Sequence, residues 1–152
     1  MNDQDLMRKA LSVAQQASAS GDVPVGAVIV NSAGEIVATG HNERELNNDP
    51  TAHAEIVAIR KAALSLGEWR LENHTIVVTL EPCPMCAGAI AQSRISTLVF
   101  GAWDEKAGAV GSVWDLIRDP RALNKVEVRG GVLADECSSV LKEFIQGVRK
   151  KD

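Results

Sequence analysis

Four residues in two short segments carry side chains that can bind a metal ion or move a proton. His53 and Glu55 stand in Thr-Ala-His-Ala-Glu, and Cys83 and Cys86 stand in Pro-Cys-Pro-Met-Cys. One imidazole and two thiolates suit Zn²⁺ in a site that keeps a fourth position open for water. Glu55 lies two residues from His53, close enough to act on that water without binding the metal. The sequence therefore predicts a zinc centre held by His53, Cys83 and Cys86, with Glu55 as its catalytic base.

Both segments are predicted to begin helices. Cys83 and Cys86 are three positions apart, which places both side chains on one face of a helical turn that begins with Pro84. The backbone dipole at a helix N-terminus stabilises a thiolate over a thiol. His53 lies at the start of another predicted helix, so two helix N-termini converge on the metal. Because two thiolates neutralise the charge of Zn²⁺, the bound water is less acidic than in a site of three histidines, and Glu55 supplies the missing base.

A Cys-x-x-Cys pair alone also fits a closed structural zinc site or a redox-active thiol pair. A structural site needs a fourth protein ligand, for which Cys137 or His74 would have to serve. Cys137 is expected instead to be a small buried residue at the start of the last predicted helix. A redox pair leaves His53 and Glu55 without a role. The four features together favour the catalytic zinc site.

The elements that must position these residues are predicted from hydrophobic periodicity and from glycine and proline. Helices are expected at residues 3–20, 52–66, 84–93, 113–118 and 134–150, and strands at 23–30, 35–40, 75–80, 95–100 and 126–128. The second helix would place Ile56, Ile59, Ala63 and Leu66 on one apolar face. This mixture of helices and strands predicts an α/β fold, with a central sheet covered by helices on both faces.

Length, apolar content and charge indicate the class of protein. The 152 residues are expected to form one domain, residues 1–152. No apolar run approaches the roughly 18 residues that a membrane-spanning helix needs, and the polar, acidic start is unlike a secretory signal. A cytoplasmic location is the expectation. The net charge of −4 argues mildly against a protein that coats nucleic acid, although a local basic patch remains compatible with it.

The combination of His-x-Glu with Pro-Cys-x-x-Cys is the motif of zinc-dependent nucleobase deaminases. On these residues the chain resembles the cytidine deaminase-like superfamily, and further segments resemble bacterial tRNA-specific adenosine deaminases. The similarity extends from Val23 to Phe144 and includes residues 23–27, 49–56, 83–90, 93–95, 99–102, 108–112 and 131–137. The zinc motif alone identifies the superfamily, and the other segments indicate the tRNA enzymes within it.

This resemblance implies a three-layer α/β/α fold around a five-stranded mixed sheet, a homodimer, and one zinc ion per subunit. The implied reaction is hydrolytic deamination of adenosine to inosine at wobble position 34 of a tRNA anticodon, chiefly of an arginine tRNA. In that reaction a zinc-bound hydroxide attacks C6 of adenine while Glu55 shuttles protons. The resemblance also assigns contacts with the purine to the amide of Asn42 and to the backbone of Ala54.

Other RNA contacts are implied more loosely. Val25 and Phe144 are candidates for pocket or flanking-nucleotide contacts, and Asp104 matches a loop residue near the RNA backbone. Val25 also fits a strand core, Phe144 a core anchor of the last helix, and Asn42 a turn. An anticodon loop presents unpaired bases that can be splayed into such a pocket. Phosphate contacts would come from scattered basic residues: Arg94, Lys106, Arg121, Lys125, Arg129 and residues 149–151.

Two other functions remain open from the sequence. A guanine or other free-base deaminase would use the same zinc chemistry, because Pro-Cys-Pro-Met-Cys also suits that branch of the superfamily. A structural zinc or redox module would have four protein ligands, or a thiol pair that cycles without metal.

Overall fold

The structure is a computed structural model that describes residues 1–151, with side chains described through residue 148. The elements are α1 (Asp3–Ala14), a 3₁₀ helix (Gln15–Ser20), β1 (Gly26–Val30), β2 (Ile36–His41), α2 (Arg44–Asn47), α3 (Ala54–Leu66), β3 (Thr75–Leu80), α4 (Pro84–Gln92), β4 (Thr97–Ala102), β5 (Glu127–Arg129) and α5 (Ala134–Lys151). Within the described residues, no helix has both the length and the apolar character needed to cross a membrane.

The five strands form one mixed sheet in the order β2-β1-β3-β4-β5. β1 runs antiparallel to both β2 and β3, whereas β3, β4 and β5 run parallel to one another. The three inner strands are rich in valine and isoleucine and are buried almost throughout, as expected of strands covered on both faces. The predicted five-stranded mixed sheet is therefore confirmed.

Alternate residues of the inner strands face two separate hydrophobic clusters, which follows from the two-residue period of a strand. Ile29, Ile76 and Phe100 belong to the cluster that α3 and α4 cover. Val28 and Val77 belong to the cluster that α1 covers, together with Cys137 of α5. Helices lie on both faces of the sheet, so the predicted three-layer α/β/α architecture is confirmed.

Helix α3 lies in direct backbone contact with β2 at Gly40. A Cβ atom at Gly40 would come within 2.5 Å of the Ala54 carbonyl oxygen and 2.6 Å of the Ala58 backbone nitrogen. Only glycine in the strand, facing alanines in the helix, allows this approach. The first turn of α3, which follows His53, is thereby held against the sheet.

The same close approach corrects the predicted face of this helix. Ile56, Ile59, Ala63 and Leu66 were predicted to share one apolar face, but the buried apolar residues of α3 are Ala54, Val57, Ala58 and Ala62. Small side chains occupy the contact because β2 leaves little space there. Larger residues stand on the flanks, and Leu66 is half exposed.

Two other helix predictions were wrong, the first in part and the second entirely. The first helix changes to 3₁₀ geometry after Ala14, and Gly21 ends it with a positive φ of 78°, as predicted for that glycine. Residues 113–118 form no helix. The Gly111 N–H bonds the Trp114 carbonyl and the Leu116 N–H bonds the Ala109 carbonyl. These bonds fold the segment back on the preceding loop and use groups that a helix would need.

Gly40→Ala tests the contact between α3 and β2. We expect the free energy of unfolding to fall by about 1–3 kcal/mol, because the added methyl group must separate two backbones. Gly147→Ala in α5 is the control, since a Cβ there meets no atom within 4 Å. Alanine at that helical position should be neutral or stabilise by up to about 1 kcal/mol. Urea unfolding of zinc-loaded proteins would measure both changes, and equal stability of both variants and the native protein would contradict the contact.

Candidate active site

The two metal-binding segments are placed by the starts of two helices, as predicted. His53 has extended backbone geometry immediately before α3, and its carbonyl accepts the Val57 N–H at 3.0 Å. Cys83 stands in the same position before α4, and its carbonyl accepts the Ala87 N–H at 2.8 Å. Pro84 occupies the first turn, where its missing N–H costs nothing. The positive ends of both helix dipoles therefore point toward the three candidate ligands.

The three candidate ligand atoms have the spacing of a tetrahedral zinc site. His53 Nδ1 lies 3.6 Å from Cys83 Sγ and 3.5 Å from Cys86 Sγ. Tetrahedral Zn²⁺ with Zn–S near 2.3 Å and Zn–N near 2.0–2.1 Å requires a separation of about 3.6 Å between nitrogen and sulfur. Among the described residues, no fourth His, Cys, Asp or Glu joins this group. The donor set fits a zinc ion that keeps one position for a non-protein ligand.

The two residues that a closed structural site would need lie elsewhere. Cys137 is buried in the core with its sulfur packed against Gly101, as the sequence predicted. The Nδ1 atom of His74 interacts with the Glu72 carbonyl oxygen at 2.8 Å. Neither joins the ligand group among the residues described, so the structural zinc interpretation gains no support.

The two thiols of the site differ in acidity. A hydrogen bond from the Cys86 thiol, aided by the neighbouring His53, lowers the pKa of Cys83 to about 4. The same hydrogen bond and burial raise the pKa of Cys86. The surroundings therefore favour the thiolate form of Cys83, and a metal ion held by both cysteines would displace the proton of Cys86.

Glu55 is a buried carboxyl in the first turn of α3, with 4% of its surface exposed. Burial raises its pKa to about 7. A group with a pKa near the working pH can accept a proton in one step and return it in another. The environment of Glu55 thus suits a proton shuttle at neutral pH.

A cavity of about 180 Å³ opens beside these residues. Among the residues predicted from the sequence, those that line it are His53, Glu55, Cys83, Val25, Asn42 and Asp104. Phe144 lies outside it, in a separate surface groove with Pro24 and Val140. A contact between Phe144 and a flanking nucleotide stays a prediction.

Asn42 is held in one orientation inside the cavity. Its Oδ1 accepts the Ala54 N–H at 3.0 Å, and its Nδ2 donates to the Val23 carbonyl at 2.9 Å. A side-chain amide has two N–H donors and two lone pairs on oxygen. One donor and one acceptor of Asn42 therefore remain for a ligand.

Sequence reasoning missed Asp22, which holds one side of the cavity. Asp22 is buried and accepts the Glu45 N–H at 2.7 Å, the Leu46 N–H at 3.2 Å and the Ser20 hydroxyl at 2.6 Å. These bonds anchor the start of α2, a helical turn between β2 and α3, and place Arg44 on the cavity wall. Burial alone would raise the pKa of Asp22, but the hydrogen bonds outweigh it and lower that pKa.

Glu81 holds another part of the cavity wall and was also missed, although it stands directly before the cysteine motif. Its two oxygens accept the N–H groups of Asp104 at 3.0 Å, Val110 at 3.0 Å and Ser112 at 3.1 Å, together with the Ser112 hydroxyl. Burial alone would raise the pKa of Glu81, but these bonds outweigh it and keep that pKa low. A carboxyl group directly after an apolar strand was the available signal.

The predicted basic residues differ in their partners. Arg121 pairs with Asp119 at 2.7 Å, Arg129 pairs with Asp3 at 2.6 Å, and the guanidinium of Arg94 lies 5.5 Å from the Trp69 ring centre. Within the described part of the chain, Lys106 and Lys125 form no ion pair. The side chains of Arg149, Lys150 and Lys151 lie outside the described residues.

Three donor atoms with the spacing that zinc requires, beside a buried carboxyl on an α/β/α sandwich, are the arrangement typical of hydrolases that activate water on zinc. Residues 1–102 match the family described as the cytidine and deoxycytidylate deaminase zinc-binding region. The chain therefore belongs to this family of zinc-dependent deaminases, as its motifs predicted.

The proteins similar to this chain include tRNA-specific adenosine deaminases and a guanine deaminase. The chain is 50% identical over 149 residues to the tRNA-specific adenosine deaminase of Haemophilus influenzae, covering 98% of this chain and 86% of that one. A solved structure from work on A-to-I editing by tRNA:A34 deaminases at the wobble position matches with a TM-score of 0.86 and 41% identity, over 90% of this chain and 99% of that one. Guanine deaminase from Nitrosomonas europaea matches with a TM-score of 0.77 and 26% identity, over 93% and 83% of the two chains.

Asp22→Asn tests the anchoring of α2. The amide turns one acceptor into a donor that faces backbone N–H groups, so we expect the unfolding free energy at pH 7 to fall by about 1–3 kcal/mol. Because the folded pKa of Asp22 lies below the ordinary 3.8, the carboxylate contributes stability above that pH and loses it as the pH falls through the folded pKa. The difference between the two proteins should therefore shrink as the pH falls below 3.8.

Urea unfolding of both proteins with zinc chelated would measure this difference at each pH. Asp5→Asn is the control, because its exposed pair with Arg8 contributes little stability. A difference between native protein and Asp22→Asn that stays constant on acidification would contradict the role of the carboxylate.

Proposed function

We propose that residues 1–152 act as one domain that converts adenosine to inosine at position 34 of a tRNA anticodon, chiefly in an arginine tRNA. The observation that carries the proposal is the placement of Glu55, with its pKa of about 7, in the same cavity as the three-donor zinc site. The 50% identity to a tRNA-specific adenosine deaminase over 98% of the chain supports the choice of substrate.

The proposed zinc ligands are His53, Cys83 and Cys86, with one zinc ion per subunit. When bound, Zn²⁺ acidifies a water molecule and so provides the nucleophile for hydrolysis. Glu55 takes a proton at the start of the reaction, delivers it to the purine ring, and then carries a proton to the leaving amine. Its burial keeps bulk water from competing for that proton.

Asn42 is proposed to orient the purine with the one N–H and the one lone pair that the protein leaves free. The Ala54 N–H is already bonded to Asn42, so Ala54 contributes to base recognition through Asn42. Val25 and Asp104 form parts of the cavity wall on either side. A cavity of about 180 Å³ suits one splayed base, and a base paired in a helix cannot enter it.

Two cations near the cavity are candidates for phosphate contacts. Arg44 lines the cavity itself, and Lys106 lines the groove that shares Leu80 and Asp104 with it. Neither side chain forms an ion pair within the part of the chain described. Both are therefore available to an RNA backbone, whose contribution would be measured by the salt dependence of binding.

We also propose that the protein is a homodimer in the cytoplasm, where its tRNA substrate is found. Apolar side chains are exposed in the segment before β5, where Trp114 is 48% and Leu123 97% accessible. Exposed apolar groups of this size are typical of surfaces that another chain covers. Val113 and Leu116 of the same segment are also nearly half exposed.

The direct test is inosine formation in an anticodon stem-loop with adenosine at position 34. The native protein should form inosine, whereas Glu55→Ala should retain zinc and lose about 10²–10⁴-fold or more in kcat, because the proton carrier is gone. Zinc content by metal analysis accompanies each assay. Loss of zinc with residual activity in Glu55→Ala would contradict the role of Glu55.

Free guanine is assayed in parallel. Ammonia from guanine with an unchanged stem-loop would assign the chain to the free-base deaminases, with the zinc site intact and the RNA contacts withdrawn.

A further inference from the structure

The carboxylate of Glu81 is enclosed, with 2% of the residue exposed, and within the described residues its hydrogen bonds come from one loop. That loop, residues 104–112, is called the wall loop here because Asp104 and Ala107 line the catalytic cavity. Three backbone N–H groups and one hydroxyl of the wall loop meet the two carboxylate oxygens. Gly108 lies so close that a Cβ atom there would overlap the carboxyl group. The loop is wrapped around a single side chain.

The main chain strengthens the same connection. The Ala109 N–H donates to the Pro82 carbonyl at 2.8 Å, and the Glu81 N–H donates to the Ala102 carbonyl at 2.8 Å. The wall loop is thereby attached to the residues immediately before Cys83. Glu81 itself is absent from the group of side chains that could hold a metal among the described residues. The hydrogen bonds of its side chain therefore hold the loop in position.

We propose that Glu81 is the positioning residue of the cavity wall: its carboxylate fixes the loop that presents Asp104 and Ala107 to the RNA-held base. This inference rests on the proposed function. Glu55 and the candidate zinc ligands stand at the starts of α3 and α4, and the hydrogen bonds of the Glu81 side chain go to the wall loop instead. Glu81 therefore acts on substrate binding rather than on proton transfer or on the metal.

Glu81→Gln separates hydrogen bonding from side-chain size. Both oxygens of Glu81 face N–H donors, so in either orientation the amide NH₂ of glutamine meets an N–H group instead of accepting from it. A buried donor without an acceptor is costly, and the loop is released without a cavity being made. We expect the KM for the stem-loop to rise on the order of tenfold or more, with kcat changed less than about threefold and zinc content unchanged.

Hydrogen exchange provides a readout that does not depend on substrate. The backbone amides of Asp104, Val110 and Ser112 should exchange on the order of tenfold faster in Glu81→Gln, because their acceptor is lost. Ser112→Ala removes one of the four donors and leaves the carboxylate in place, so its effect on KM should be in the same direction and smaller.

Thr79→Val is the matched control. Thr79 is buried in β3, and its Oγ1 accepts the Gly26 N–H at 3.2 Å. Valine is similar in size to threonine, so the substitution removes a buried hydrogen-bond acceptor without making a cavity. The acceptor that is lost serves Gly26 and not the wall loop. It should lower stability while leaving the KM and the exchange of the three loop amides unchanged.

Unchanged KM and unchanged exchange in a folded Glu81→Gln protein would overturn the inference, as would loss of zinc from that variant, which would place the effect on the metal segment. If the native protein leaves the stem-loop unmodified, the proposed function fails, and the exchange measurement still decides whether Glu81 fixes the loop.

Discussion

The contact between α3 and β2 fixes the rest of the site, because it joins backbone to backbone. Gly40 meets Ala54 and Ala58 with no side chain between them, and His53 and Glu55 stand at the start of the helix that this contact holds. Packed interiors transmit small displacements, so a shift of α3 would move a ligand and the proton carrier together. Cys83 and Cys86 lie at the start of α4, which packs against the same face of the sheet as α3. This tight packing holds the candidate ligand atoms at separations that suit zinc.

Three buried carboxyl groups around one cavity have different acidities, and their surroundings explain the difference. Glu55 is buried with few compensating donors, and burial raises its pKa to about 7. Asp22 and Glu81 are also buried, but backbone N–H groups and serine hydroxyls stabilise their charged forms and lower their pKa values. The first arrangement suits proton transfer, whereas the other two suit permanent anchors. Residue type alone does not separate these roles.

The sequence predicted most of the fold and the chemical centre, for reasons that are local. The strand Thr75–Leu80 was predicted with the correct bounds because all of its residues before Leu80 are β-branched. His53, Cys83 and Cys86 could be recognised because zinc ligands are few in kind and Pro84 indicates a helix start. The anchors Asp22 and Glu81 were missed because their backbone N–H partners lie 23 to 31 residues away in the chain.

The predicted helix at residues 113–118 failed for a related reason. Its backbone groups bond to the loop at Gly111 and Ala109, and no periodicity within the segment reveals that competition. The small residues of α3 were likewise placed by β2 rather than by the helix's own pattern. In both places tertiary contacts, rather than the local sequence pattern, determined the observed structure.

The most direct test of the account is the zinc K-edge X-ray absorption spectrum of the purified, zinc-loaded protein. The structure predicts two sulfur ligands, from Cys83 and Cys86, near 2.3 Å and two nitrogen or oxygen ligands near 2.0 Å, namely His53 and a non-protein oxygen. Addition of a zinc-binding anion should replace that oxygen and change the spectrum. A third sulfur, or a spectrum that such an anion leaves unchanged, would show a closed structural site and contradict the catalytic one.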